Sequence, residues 1–153
     1  MTSPSCDQEI VAWASGYRAY LGFFCTVPNA LYLPHEVWPD RTGYDVVHDV
    51  LHHGPAALAL MVVIEVLRQS PEADVPSVTH MLVEPLVQLH APRIIDDIER
   101  EATTNEAFRH CLGHIRTMSG ELPATILTRL VGASNGALTV APEGAWQYLR
   151  AAT

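Results

Sequence analysis

Asp45, His48, Asp49 and His52 recur at steps of three and four within residues 44–53, so that imidazoles and carboxylates repeat with the α-helical period. The pairs His80 with Glu84 and His110 with His114 repeat the four-residue step. On a helix that step brings both side chains to one side, the usual way for helical proteins to present paired ligands to a metal ion or a base beside its carboxylate. Eight His in 153 positions would produce about 0.4 His pairs at this spacing by chance. Two occur, His48–His52 and His110–His114.

Two chemistries fit these residues. In the first, His48, Asp49, His52, His80, Glu84, His110 and His114 converge from facing helices to hold a transition metal, zinc or iron, with Asp45 and Asp49 either ligating or orienting an imidazole. In the second no metal takes part. His80 and Glu84 then form an acid/base couple acting on a small organic substrate in a pocket walled by Trp13, Tyr17 and Trp38. The helical wheel places His48 with His52, and His110 with His114, roughly 95–140° from the apolar stripes of their helices. His80 and Glu84 are flanked by Val83 and Val87, which makes them the best candidates for an enclosed polar pair.

The remaining polar groups have simpler readings. His52 and His53 stand in a last helical turn, where a cation complements the helix dipole. His35 and His90 neighbour prolines or loops and are expected to be structural. Glu65 ends an apolar run; exposure is the expected state, and burial would raise its pKa and make it a general acid or base. Gly132-Ala133-Ser134-Asn135-Gly136 has the form of a hydrolase nucleophile elbow, but no His follows His114, so a helix stop and a Ser-Asn-Gly turn are expected instead.

Arg109-His110-x-x-x-His114 resembles the Arg-x-x-x-x-His motif of HEPN-domain ribonucleases, small all-α proteins. The match covers six residues. That resemblance implies RNA cleavage by Arg109 and His114, in a toxin-like dimer.

Composition narrows the field. The formal charge is −8, and the nine basic residues are all Arg and widely scattered, a poor counterpart for nucleic-acid phosphates. The absence of Lys excludes Schiff-base and phosphate-loop lysine chemistry and, with abundant Ala, Arg and Val, points to a high-GC bacterial coding sequence. Cys6, Cys25 and Cys111 are odd in number and far apart, as expected for reduced thiols in a cytoplasmic protein with no export leader. The run Ala56–Ile64 is too short to span a bilayer. A non-catalytic alternative is a helical module that binds a protein partner or forms a homodimer through the aromatic residues of the 26–41 loop and Trp146 and Tyr148.

These groups need a scaffold, and the pattern predicts an all-α, single-domain compact bundle of about six to eight helices over residues 1–153. Ser5 and Gln8 make a capping box for a helix over 7–25, followed by a long Pro-rich loop at 26–41. A Thr42 cap partnered by Asp45 opens a helix ending at Gly54, and a central apolar helix occupies 55–69. Further helices are expected at 75–90 with a break at Pro85, at 92–102, from a Thr103–Glu106 capping box to Gly120, at 122–131 and at 142–151. The single strand-like fragment is 137–140.

Overall fold

The computed structural model describes residues 5–118 and 121–141. It is all-α apart from a two-residue parallel pairing, Thr117 with Val140 and Met118 with Ala141. Seven α-helices occur among the described residues. The chain divides into two units, Met1–Glu72 and Ala73–Thr153.

In the first unit α1 spans Cys6–Thr26. Its capping box forms as the sequence predicts: Gln8 N–H donates to Ser5 Oγ at 3.4 Å and Ser5 N–H to Gln8 Oε1 at 3.0 Å, satisfying two donors that the helix start leaves open. Ile10, Ala14, Tyr17 and Tyr20 form its buried stripe. The Pro-rich loop is ordered, with 3₁₀ turns at Ala30–Tyr32 and His35–Val37 and Trp38 Nε1 donating to the Leu33 carbonyl at 3.2 Å.

Helix α2 spans Thr42–His53. The expected Thr42–Asp45 cap does not form; Asp40 instead accepts the Thr42 N–H at 2.9 Å, and Arg41 pairs with Asp45 at 2.7 Å. Asp40 is the better acceptor because it precedes the helix, whereas Asp45 lies within it. Helices α1 and α2 cross where two glycines face each other: a Cβ on Gly43 would lie 2.7 Å from the Gly16 Cα and 2.8 Å from the Trp13 carbonyl oxygen. Helix α3, Ala56–Gln69, buries Ala59, Leu60, Val62, Val63, Val66 and Leu67.

The second unit departs further from the predicted boundaries. Helix α4 covers only Val75–Val78 and runs into a π-helical stretch at Thr79–Val83. Helix α5 then continues from Glu84 to Thr104 with Pro85 in its first turn, so the predicted interruption at Pro85 falls where the π-helical stretch gives way to α-helix. The two predicted helices on either side of residue 91 are therefore one. Pro92 lies inside it and Ile94 is pulled to φ −129°, ψ 21°, a kink in place of a break.

Helix α6 spans Glu106–Leu112. Its cap is Asn105, whose side chain accepts the Phe108 N–H at 3.1 Å, and not Thr103, which still belongs to α5. Gly113 ends α6 well before the predicted stop at Gly120, which lies outside the described residues. Helix α7 spans Ala124–Ala133 and closes in a turn with Asn135 at φ 54° and Gly136 at φ 79°, so the Ser-Asn-Gly reading holds for that segment. The helix predicted at 142–151, with Trp146 and Tyr148, lies outside the described residues.

Candidate functional site

The π-helical stretch carries His80, and the first turn of α5 carries Glu84. Their side chains meet, His80 Nδ1 to Glu84 Oε2 at 3.3 Å. A carboxylate can only accept, so the pairing places the proton on Nδ1 and leaves the Nε2 lone pair available as a base. Glu84 Oε2 also accepts the Arg116 N–H at 3.0 Å, and one turn along α5 the Gln88 amide donates to the Arg116 carbonyl at 3.4 Å. Glu84 and Gln88 thus grip both polar backbone groups of one residue in the segment after α6, and that grip fixes the carboxylate that orients His80.

The pair is less enclosed than Val83 and Val87 led us to expect. The His80 side chain is 46% exposed and the Glu84 side chain 18%, so the carboxylate is the sheltered partner and the imidazole faces outward. Val83 and Val87 are fully buried. The widened π turn sets His80 off the buried line that they define, and such turns are frequent where a side chain must be aimed.

His110 and His114 lie against each other with ring centroids 4.4 Å apart and planes tilted by 43°. His114 Nδ1 lies 2.9 Å from the His110 carbonyl oxygen, so it caps the end of α6 beyond Gly113. Arg109 leaves the same helix in a different role, its Nη1 donating to the Ala102 carbonyl at 3.0 Å.

In the first unit His48 belongs to an aromatic cluster. Tyr17 stacks on Tyr44 at 5.4 Å, and His48 lies 4.5 Å from Tyr44 and 5.7 Å from Tyr17, centroid to centroid. The Arg41 guanidinium sits over Tyr20 and Tyr44, 5.8 and 5.7 Å from the ring centres. His52 stacks 6.0 Å from His48, and with His53 it occupies the last turn of α2, as expected from the helix dipole. Burial holds the His48 pKa below the usual imidazole value, and the neighbouring His52 acts in the same direction. Burial drives the Tyr17 hydroxyl well above the ordinary phenol range. Asp49 is exposed on α2, and Asp45 is engaged with Arg41.

Among the described residues, no three His, Cys, Asp or Glu side chains come together as a group that could hold a metal ion. The expected seven-residue ligand set is thus seen as local pairs: His48 with His52, His80 with Glu84, and His110 with His114. Of the aromatic residues expected to wall a pocket, Tyr17 is buried and Trp13 and Trp38 are half-buried, all in the first unit. Trp38 packs edge-on against Phe24 and carries the His35 ring at 4.2 Å, a structural role for that histidine. His90 is buried within α5.

Glu65 is not exposed as expected, its side chain being only 15% accessible. Arg68 donates to both its carboxylate oxygens, at 2.6 and 2.9 Å, and Gln69 adds a third bond at 2.9 Å. Arg68, ahead of the opposing effect of burial, holds the Glu65 pKa below its ordinary value, which suits a structural ion pair and not a proton donor. Gln69 also accepts from Ser15 Oγ at 3.0 Å, tying α3 to α1.

A feature that residue spacing did not reveal is an open cleft of about 500 Å³ between α5, α6 and α7, lined in part by Glu99, Arg109, Arg129, Gly132 and Asn135. Arg129 bonds Glu99 Oε1 through Nε at 2.8 Å and also pairs with Asp96. Only contacts between helices assemble this cleft, and single-helix periodicity carries no signal for it. No helix among the described residues is long and apolar enough to cross a membrane. Comparison with protein-family profiles, curated proteins and solved structures gives no match.

Proposed function

We propose that the chain is an acid/base enzyme acting on a small organic substrate, with His80 as the base and Glu84 as the carboxylate that fixes its tautomer. The observation that carries this reading is the doubly anchored Glu84. One oxygen accepts both from His80 Nδ1 and from the Arg116 backbone, so the imidazole is held by a group that is itself held. Its Nε2 has no hydrogen-bond partner among the described residues, and the ring is accessible. A general base needs these properties: a set tautomer, restricted rotation and an unoccupied lone pair within reach of a substrate proton. Incubating the purified chain with a complex small-molecule extract and following depletion by mass spectrometry tests the idea. Turnover by the wild type that vanishes in His80→Ala supports it; equal depletion by the two proteins, or none by either, overturns it.

A second reading, a protein-binding module, draws on a different surface. Leu31 is 73% and Tyr32 87% exposed on 3₁₀ turns that Trp38 braces from behind, and rigid exposed aromatic groups favour association. Light scattering of the isolated chain and of Tyr32→Ser tests its homodimer version. A dimer that dissociates on substitution supports it, and a wild-type monomer removes it.

A further inference from the structure

We propose that the cleft between α5, α6 and α7 binds a small organic monocarboxylate, held at Arg109. Glu99 is the one acidic residue in the lining, and Arg129 holds both of its carboxylate oxygens. Asp96, the second acid on Arg129, lies outside the lining with its side chain 79% exposed. Arg109 is therefore the charge that the cleft itself leaves unmatched.

That isolation stands out in so acidic a chain. The formal charge is −8, and Arg41, Arg68, Arg100 and Arg129 each pair with a carboxylate. Arg68 and Arg100 do so with an acid three residues earlier on their own helix. Glu106 offers Arg109 the same spacing on α6, yet among the described residues the two form no ion pair. Arg109 turns instead to the Ala102 carbonyl, which its Nη1 meets at 3.0 Å, and sits half-buried in the cleft wall. Partial burial strips water from a guanidinium, and a bond at one corner leaves its remaining N–H donors open to a ligand.

A guanidinium anchored in this way presents the planar fork that carboxylates match with paired hydrogen bonds. A single surplus positive charge suits a monoanion, whereas a phosphate dianion would exceed it. The C-terminal carbonyls of α7, which would repel an anion, are already engaged: those of Leu130, Val131 and Gly132 accept the N–H groups of Ser134, Gly136 and Asn135 at 2.8–3.0 Å. Ala102 and Ala133 offer apolar surface to a short aliphatic body, and the volume of about 500 Å³ falls within the range of small-molecule sites.

Titration of the full chain with 4-methylpentanoate, its neutral amide and inorganic phosphate, followed calorimetrically and by amide shifts of Ala102, Gly132 and Asn135, tests the proposal. The carboxylate should saturate, and the amide and phosphate should each bind at least about tenfold more weakly. Arg109→Gln should abolish the preference for acid over amide, while Arg109→Lys, which keeps the charge but loses the fork, retains part of it. Should Arg109→Gln fail to fold, Gly132→Leu decides: its position leaves room for a Cβ, so the added side chain can fill the cleft and eliminate binding while thermal unfolding stays cooperative. The proposal is overturned if the carboxylate does not saturate below about 10 mM, if the amide or phosphate binds as tightly, or if a folded Arg109→Gln or Gly132→Leu protein binds as the wild type does.

Discussion

Tyr17 and His48 sit with ring centroids 5.7 Å apart, yet the Tyr17 hydroxyl and His48 Nε2 are both buried without a hydrogen-bond partner among the described residues. Each unsatisfied group of this kind costs on the order of 1–3 kcal/mol relative to its hydrated state. Tyr17→Phe keeps the stack on Tyr44 and deletes only the stranded oxygen. The variant is expected to be more stable than the wild type by about 1 kcal/mol, read from urea denaturation at constant m-value. A loss of similar size would show that the hydroxyl has a partner in solution, such as a buried water.

His48 should make stability depend on pH. Its pKa in the folded chain is depressed, chiefly by burial and then by His52, from an unfolded value of 6.5, so the unfolded chain binds the proton more readily. Stability from this residue is therefore full above pH 6.5 and is lost as pH falls from there toward the folded pKa. The groups around it are Tyr17, Tyr44, His52, Asp45 and Arg41. His48→Gln should flatten this part of the stability profile, and an unchanged slope in the variant would assign the effect to another histidine.

Local chemistry was legible in the sequence where neighbouring residues decide the outcome. The Ser5–Gln8 box, the stop at Gly54 and the Ser134-Asn135-Gly136 turn form as their residue types require. Boundaries were missed where a stronger neighbour competed: Asn105 displaced Thr103 as the cap of α6, and Asp40 displaced Asp45 at the start of α2. The contact between His80 and Glu84 follows from their four-residue step, whereas the Arg116 backbone that anchors Glu84 lies 32 residues away. Arg109 stood out as part of a linear motif, but its cleft is formed with Glu99 and Gly132 from other helices. Contacts between helices depend on crossing geometry, and periodicity within one helix does not encode it.

The α1–α2 crossing offers a stability test. A methyl group on Gly43 would fall 2.7 Å from the Gly16 Cα and 2.8 Å from the Trp13 carbonyl oxygen, both backbone atoms that cannot rotate away. Gly43→Ala must push the helices apart, at a cost of about 1–3 kcal/mol despite alanine's better helix propensity. Gly22, with nothing within 4 Å of an added Cβ, is the control. Gly22→Ala should be stabilising by roughly 0.5–1 kcal/mol, so paired thermal melts of opposite sign are expected.

Glu84→Gln separates the charge of the carboxylate from its bulk. One oxygen, Oε2, accepts from both His80 Nδ1 and the Arg116 N–H, so a glutamine that sets its carbonyl oxygen there keeps both hydrogen bonds and the Nδ1–H tautomer. It loses the negative charge that stabilises the imidazolium formed when Nε2 takes a proton. Side-chain ¹⁵N spectra at a pH where His80 is neutral should show Nδ1–H in the wild type and in Glu84→Gln, with the fold retained in both, while turnover falls in the variant. Glu84→Ala removes the acceptor and should free the imidazole to exchange tautomers, and a catalytic rate that survives that substitution would deny His80 its role as an oriented base.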